Sequence, residues 1–72
     1  MFIEINGERR DLPQSSTLKE LVEHLKLAPE RLAIELNRQV VHRADWQNIA
    51  LNEGDRVEIV HFVGGGMRNF EL

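Results

Sequence analysis

Only one stretch of this 72-residue chain repeats its apolar residues at the helical period. Leu18, Leu21, Val22 and Leu25 recur at i, i+3, i+4 and i+7, forming a single stripe that has to be buried against another element. Thr17 and Glu20 have the spacing of a capping box, in which the threonine hydroxyl accepts from the N–H three residues on and the glutamate reaches back. Pro29 limits the helix at about Leu27 or Ala28, because the residue before a proline avoids helical geometry. A three-turn helix is therefore expected, and what covers its stripe must come from the rest of the chain.

The rest reads as strands and turns. Met1, Ile3 and Ile5 alternate with Phe2, Glu4 and Asn6, as a half-buried strand requires, and Asn6-Gly7 is the pair most easily placed in a tight hairpin turn. Glu8 to Leu12 then forms a short, charged return strand, and Pro13 to Ser16 break the pattern. Leu32, Ile34 and Leu36 alternate again; Asn37-Arg38-Gln39 turns the chain into a short strand at Val40-Val41. A helical turn around Arg43 to Trp46 places Trp46 as a packing residue. After the turn signal Asn52-Glu53-Gly54-Asp55, residues Arg56 to Val63 are rich in β-branched and aromatic side chains and make the best strand in the chain.

One apolar helix stripe and one apolar sheet face can bury each other in two layers. Hairpin, helix, strand, short strand and long final strand therefore predict an α+β fold: a mixed sheet packed on one main helix, the ubiquitin-like β-grasp arrangement. A ferredoxin-like fold needs a second substantial helix, and Val41 to Asn52 is too short and poorly patterned to supply it. At this length the chain holds one core and no large substrate cleft. The domain is expected to span residues 1–63, followed by a flexible glycine tail at 64–66 and an extension at 67–72 that is disordered or removed.

Several classes of chemistry drop out. With no cysteine there are no disulfides, thiolate metal sites or cysteine nucleophiles. His24, His42 and His61 are scattered over helix, loop and strand without metal-ligand spacing. Asp45 and Glu58 lie on no common spacing that would make them an acid/base pair, and Ser15, Ser16 and Thr17 are explained by a turn and a helix cap. An enzyme in its own right is not expected, and no bound cofactor is expected either. A net charge of -3 without a lysine or arginine cluster argues against nucleic acid. The absence of a secretion signal or an apolar membrane-length run points to a cytoplasmic chain, monomeric when free.

Gly64-Gly65-Gly66 is different. It lacks the Lys-Ser/Thr ending of a phosphate loop, which leaves two uses open. The glycines could be a plain linker, or, having no side chains, they could thread a narrow channel and carry a terminal carboxylate into a partner's active site.

The ending Asp55-Arg56-Val57-Glu58-Ile59-Val60-His61-Phe62-Val63-Gly64-Gly65-Gly66 and the Asn37 to Arg43 turn region resemble the ThiS family of small sulfur carriers of thiamine biosynthesis. These are β-grasp proteins related in fold to ubiquitin and to the molybdopterin synthase small subunit. The resemblance covers residues 1–66, and Val-His-Phe-Val before the glycines favours the thiamine branch over the molybdopterin one. It implies that an adenylyltransferase resembling ubiquitin-activating enzymes uses ATP and magnesium to activate the carboxylate of Gly66. A sulfur donor system then converts it to a thiocarboxylate, which gives its sulfur to thiazole formation on thiazole synthase, with Gly64 and Gly65 threading the tail. The family ends at the last glycine, whereas this chain continues as Met67 to Leu72. Either a peptidase exposes Gly66, or the chain is a β-grasp binding module that has lost carrier chemistry, or the tail reflects how the end of the gene is defined. A sulfur carrier for molybdopterin synthesis is the remaining alternative. If Val57 and Ile59 face the core, Glu58, Val60 and Phe62 face outward and form, beside Phe2, an apolar partner-binding stripe with an acidic rim.

Overall fold

A computed structural model describes residues 1–63 and 66–69, with Val63 and residues 66–69 described by their backbone alone. The order of elements is β1 (Phe2–Ile5), β2 (Glu8–Asp11), α1 (Leu18–His24), a 3₁₀ turn at Pro29–Arg31, β3 (Leu32–Leu36), β4 (Gln39–Val41), a 3₁₀ segment at Arg43–Asn48, β5 (Arg56–Val63) and β6 (Gly66–Asn69). The strands form one mixed sheet in the order β2-β1-β5-β3-β4, with β6 also paired to β5. This is the β-grasp arrangement, with the last long strand at the centre.

Both hairpins close on two residues with positive φ: Asn6 (48°) and Gly7 (84°) between β1 and β2, and Asn37 (51°) and Arg38 (70°) between β3 and β4. Two consecutive residues of this kind give the type I′ turn, whose twist matches that of the strands it joins. β1 runs parallel to β5 through Glu4↔Arg56 and Ile5↔Val57, while β3 runs antiparallel to it from Leu36↔Val57 to Leu32↔His61.

The helix begins as its capping box requires. The amide of Glu20 donates to Thr17 Oγ1 at 3.1 Å, and the amide of Thr17 donates to Glu20 Oε1 at 2.9 Å. It ends earlier than expected, at His24, so it has two turns and not three. The cause is Lys26, whose φ of 58° turns the chain into the left-handed region. Its amide then bonds the carbonyl of Glu23 at 3.0 Å and the amide of Leu27 bonds that of Val22 at 3.2 Å, the two bonds of a Schellman motif. Pro29 acts only later, opening the 3₁₀ turn before β3.

The core consists of Ile3, Ile5, Leu12, Leu18, Leu21, Val22, Leu32, Ile34, Trp46, Leu51, Val57 and Ile59, and Leu25 and Leu36 are partly buried beside it. Trp46 is a packing residue; its indole N–H reaches the carbonyl of Val41 at 3.0 Å, so its polar atom is satisfied inside the core. Among the residues whose side chains are described, every core residue lies between Ile3 and Ile59, and the last part of β5 to Phe62 adds none.

Candidate functional site

Strand period divides β5 cleanly. Val57 and Ile59 are buried, whereas Arg56, Glu58 and Phe62 are exposed and Val60 is half-buried on the other face. The registers put Glu58 opposite Glu35 and Val60 opposite Ala33 on β3, and Glu35 in turn opposite Val40 on β4. Two carboxylates thus meet across the open face of the sheet, between the exposed side chains of Val40 (67% exposed) and Phe62 (43%). The result is an apolar surface with an acidic centre, facing away from the helix.

The beginning of β5 is different. Arg56 Nε donates to Glu4 Oε2 at 2.7 Å across the parallel pair. That hydrogen bond and the carboxylate charge push the guanidinium pKa up from its ordinary value. Both side chains are exposed, so the pair orders the surface more than it stabilises the fold.

The structure puts all four outward residues expected to form a docking stripe on the open face of the sheet, with Glu58, Val60 and Phe62 along β5 and Phe2 at the other end. Parallel pairing with Glu4 opposite Arg56 sets Phe2 beside the turn before β5, where its amide donates to Glu53 Oε1 at 3.0 Å and its carbonyl accepts from Gly54 at 2.8 Å. Its ring lies under the guanidinium of Arg9, 3.9 Å from the centroid. Phe62 sits at the opposite end of β5, eight residues beyond Gly54, or about 26 Å at the rise of a strand. Val40 belongs to the face and was missed. The signal was present, since a two-residue turn at Asn37-Arg38 puts Gln39 opposite Leu36 and leaves Val40 facing outward beside Glu35.

Gly64 and Gly65 lie outside the described residues. Gly66 opens β6 opposite Val63, followed by Met67↔Phe62, Arg68↔His61 and Asn69↔Val60. The extension expected to be loose from residue 67 is therefore strand-paired over Met67–Asn69, and residues 70–72 lie outside the described residues. No cluster of histidines and carboxylates suited to a metal ion occurs among the described residues. None of their helices is long and apolar enough to cross a membrane.

A family model described as the ThiS family matches residues 3–66, ending on the last of the three glycines. The chain belongs to the ThiS family. It is 31% identical to the sulfur carrier protein ThiS of Bacillus subtilis, with 90% of this chain and 100% of that protein covered. The crystal structure of the ThiS thiamine biosynthesis protein from Geobacter metallireducens superposes with a TM-score of 0.80 at 33% identity, covering 92% of this chain and all of that one. A thiazole synthase from Magnetococcus marinus is 42% identical over 66 residues, and there the chain spans only 20% of the relative's length. The ThiS match stops where β6 has just begun, so Met67 to Leu72 fall outside the matched segment.

Proposed function

We propose that this chain is a sulfur carrier of thiamine biosynthesis whose transferable group is held at the carboxyl of Gly66. The observation that carries this reading is the coincidence of the family match with the glycine run: the matched segment spans the whole β-grasp domain and stops at Gly66. In the proposed cycle, a ubiquitin-activating-like adenylyltransferase uses ATP and magnesium. The Gly66 carboxylate attacks the α-phosphorus of ATP and pyrophosphate leaves. A persulfide of the donor system then displaces AMP to give an acyl disulfide, and a thiol of that system attacks its S–S bond, leaving the thiocarboxylate on Gly66 and a disulfide on the donor system. Thiazole synthase takes the sulfur and returns a carboxylate. The names of the relatives support this partner: a sulfur carrier protein over its full length, and a thiazole synthase over one fifth of its length.

No step requires a catalytic group on this domain. Its part is to present Gly66 and to be recognised, for which the face of Val40, Glu58, Val60 and Phe62 is suited by its exposed apolar side chains around an acidic pair. Phe2 lies on the same side of the sheet but at its far end, apart from this patch. The cycle belongs in the cytoplasm, where the other components would be met. It also requires that the peptide bond between Gly66 and Met67 be cut, because an amide carbonyl has no carboxylate oxygen to attack ATP.

The test is to incubate the full chain and a form ending at Gly66 with the adenylyltransferase, ATP and a sulfur donor, and to weigh the products intact. The Gly66-ended form should gain the mass of one sulfur in exchange for one oxygen. If it does not, while an established ThiS protein does so beside it, the carrier reading fails.

A further inference from the structure

β5 is eight residues long, and its two flanks are covered unequally. On one flank β3 accompanies it from Val57 to His61. On the other, β1 reaches only Val57, and the side chain of Asn6 then takes both backbone groups of Ile59. Beyond Ile59 this flank would present unpaired N–H and C=O groups, which is the property that makes a strand edge adhesive. Since β3 already occupies the opposite side at Val60 and His61, β6 must lie on this flank, continuing the line of β1 and Asn6. The edge is thus covered by the segment that begins with Gly66. Pairing of Gly66 with Val63 folds that residue back onto the domain, and a glycine held there cannot extend into another protein's active site.

We propose that the flank of β5 over Val60–Val63 is an exchange edge, held by Gly66–Asn69 within the chain and taken by an extended strand of the partner enzyme when Gly66 is drawn away. The proposal rests on the carrier reading for the role of Gly66. Withdrawing β6 leaves the backbone groups of His61 and Val63, which face the same flank as those of Ile59, without partners, and strand addition restores those bonds from the other molecule. Val60 and Phe62 face outward along the same stretch, so the incoming strand would arrive beside two apolar anchors that fix its position.

His61 and Val63 report on the edge, because their amides face the flank of Ile59 and they are in register with Arg68 and Gly66 of β6. Amide hydrogen exchange is followed by NMR in the full chain and in a variant carrying both Met67→Pro and Arg68→Pro. Consecutive strand amides point to opposite sides, so the pair of prolines removes whichever one faces β5. In the full chain the His61 and Val63 amides should exchange more than about tenfold slower than an unprotected amide. In the variant that protection should vanish while Val57 and Ile59 keep theirs, which shows that the domain is still folded. Unprotected His61 and Val63 in the full chain, or protection that survives the prolines, overturns the proposal. The variant is then mixed with excess adenylyltransferase from the same source. Renewed protection at His61 or Val63 in the complex is the expected result; a complex without it overturns the exchange. If no complex forms, and the Gly66-ended form also fails to gain sulfur, the carrier reading itself falls and the proposal with it.

Discussion

Asn6 grips Ile59 by both of its backbone groups, its Nδ2 donating to the carbonyl at 3.1 Å and its Oδ1 accepting from the amide at 2.7 Å. The side chain acts as one more rung of the sheet at the point where β1 turns away. Asn37 does a related thing on the other flank, accepting from the amide of Arg56 at 2.9 Å and donating to Asp55 Oδ1 at 3.1 Å. Each asparagine therefore serves its own I′ turn through positive φ and steadies the central strand through its amide.

The two roles of Asn6 are separable. Asn6→Gly keeps the backbone conformation and loses both side-chain bonds, whereas Asn6→Ala also forces an alanine into the left-handed region. Asn6→Ala should lower stability by about 2–4 kcal/mol, and Asn6→Gly by roughly 1 kcal/mol less. Urea denaturation of the two variants checks the ordering; an alanine variant as stable as the glycine one would remove the conformational part of the argument.

Lys26 offers the reverse case. It occupies the left-handed position of a Schellman motif, where glycine is the usual residue, and its φ is 58°. Lys26→Gly should be neutral or stabilising by up to about 1 kcal/mol, since relief of the backbone strain is partly offset by the greater freedom of an unfolded glycine. Lys26→Val should destabilise by about 1 kcal/mol or more, because a β-branched residue tolerates this region least. Thermal unfolding of the pair distinguishes strain from any contribution of the lysine charge, which both replacements remove.

Glu35 and Glu58 face each other directly across β3 and β5. Like charges so placed cost stability, so Glu58→Gln should stabilise the domain by roughly 0.2–1 kcal/mol and reduce its dependence on salt. The same variant should bind the adenylyltransferase more weakly, if the carboxylates meet basic residues there. Equal binding by calorimetry would assign the pair no part in docking.

Val60→Ser with Phe62→Ser should weaken that binding while leaving the circular dichroism spectrum nearly unchanged, because neither side chain belongs to the core. Phe2→Ser is the control, being displaced to the other end of the sheet and stacked under Arg9. If the control weakens binding as strongly as the double variant, the docking face extends over the whole sheet.

Core and tail should separate in the same way. Ile59→Ala and Leu21→Ala remove fully buried side chains and should each cost about 2–5 kcal/mol. Gly65→Val in a chain ending at Gly66 should leave the melting temperature within a few degrees and abolish adenylation, measured by pyrophosphate release. Unchanged kinetics in that variant would contradict threading.

Much of this was legible from the residues. The alternation in Arg56 to Val63 sets β5 with its observed bounds, and Asn6-Gly7 and Thr17/Glu20 mark a turn and a cap whose chemistry is local. The end of α1 was not legible, because a lysine in the left-handed region carries no compositional signal and Pro29 gave a plausible later stop. The separation of Phe2 from Phe62 depends on the offset between two parallel strands, which no local pattern encodes. β6 was hidden for another reason: three glycines read as a linker, and Met67 to Asn69 have too little alternation to announce a strand.

The parallel pair that joins Glu4 to Arg56 links residues 52 positions apart, and it sets the order in which the molecule can form. β5, at the middle of the sheet, is made after β1 and β3, which therefore have no shared neighbour until Val57 has been made. Before then α1, at seven residues, is too short to persist alone, and the first hairpin is only marginally stable. Residues 1–55 should therefore stay unstructured until β5 has been synthesised, and the domain should then fold in one cooperative step. Its rate would be governed by closing a long loop, as in other folds with distant contacts. A fragment ending at Asp55 should accordingly show the circular dichroism of an unfolded chain, even though it contains ten of the twelve core residues.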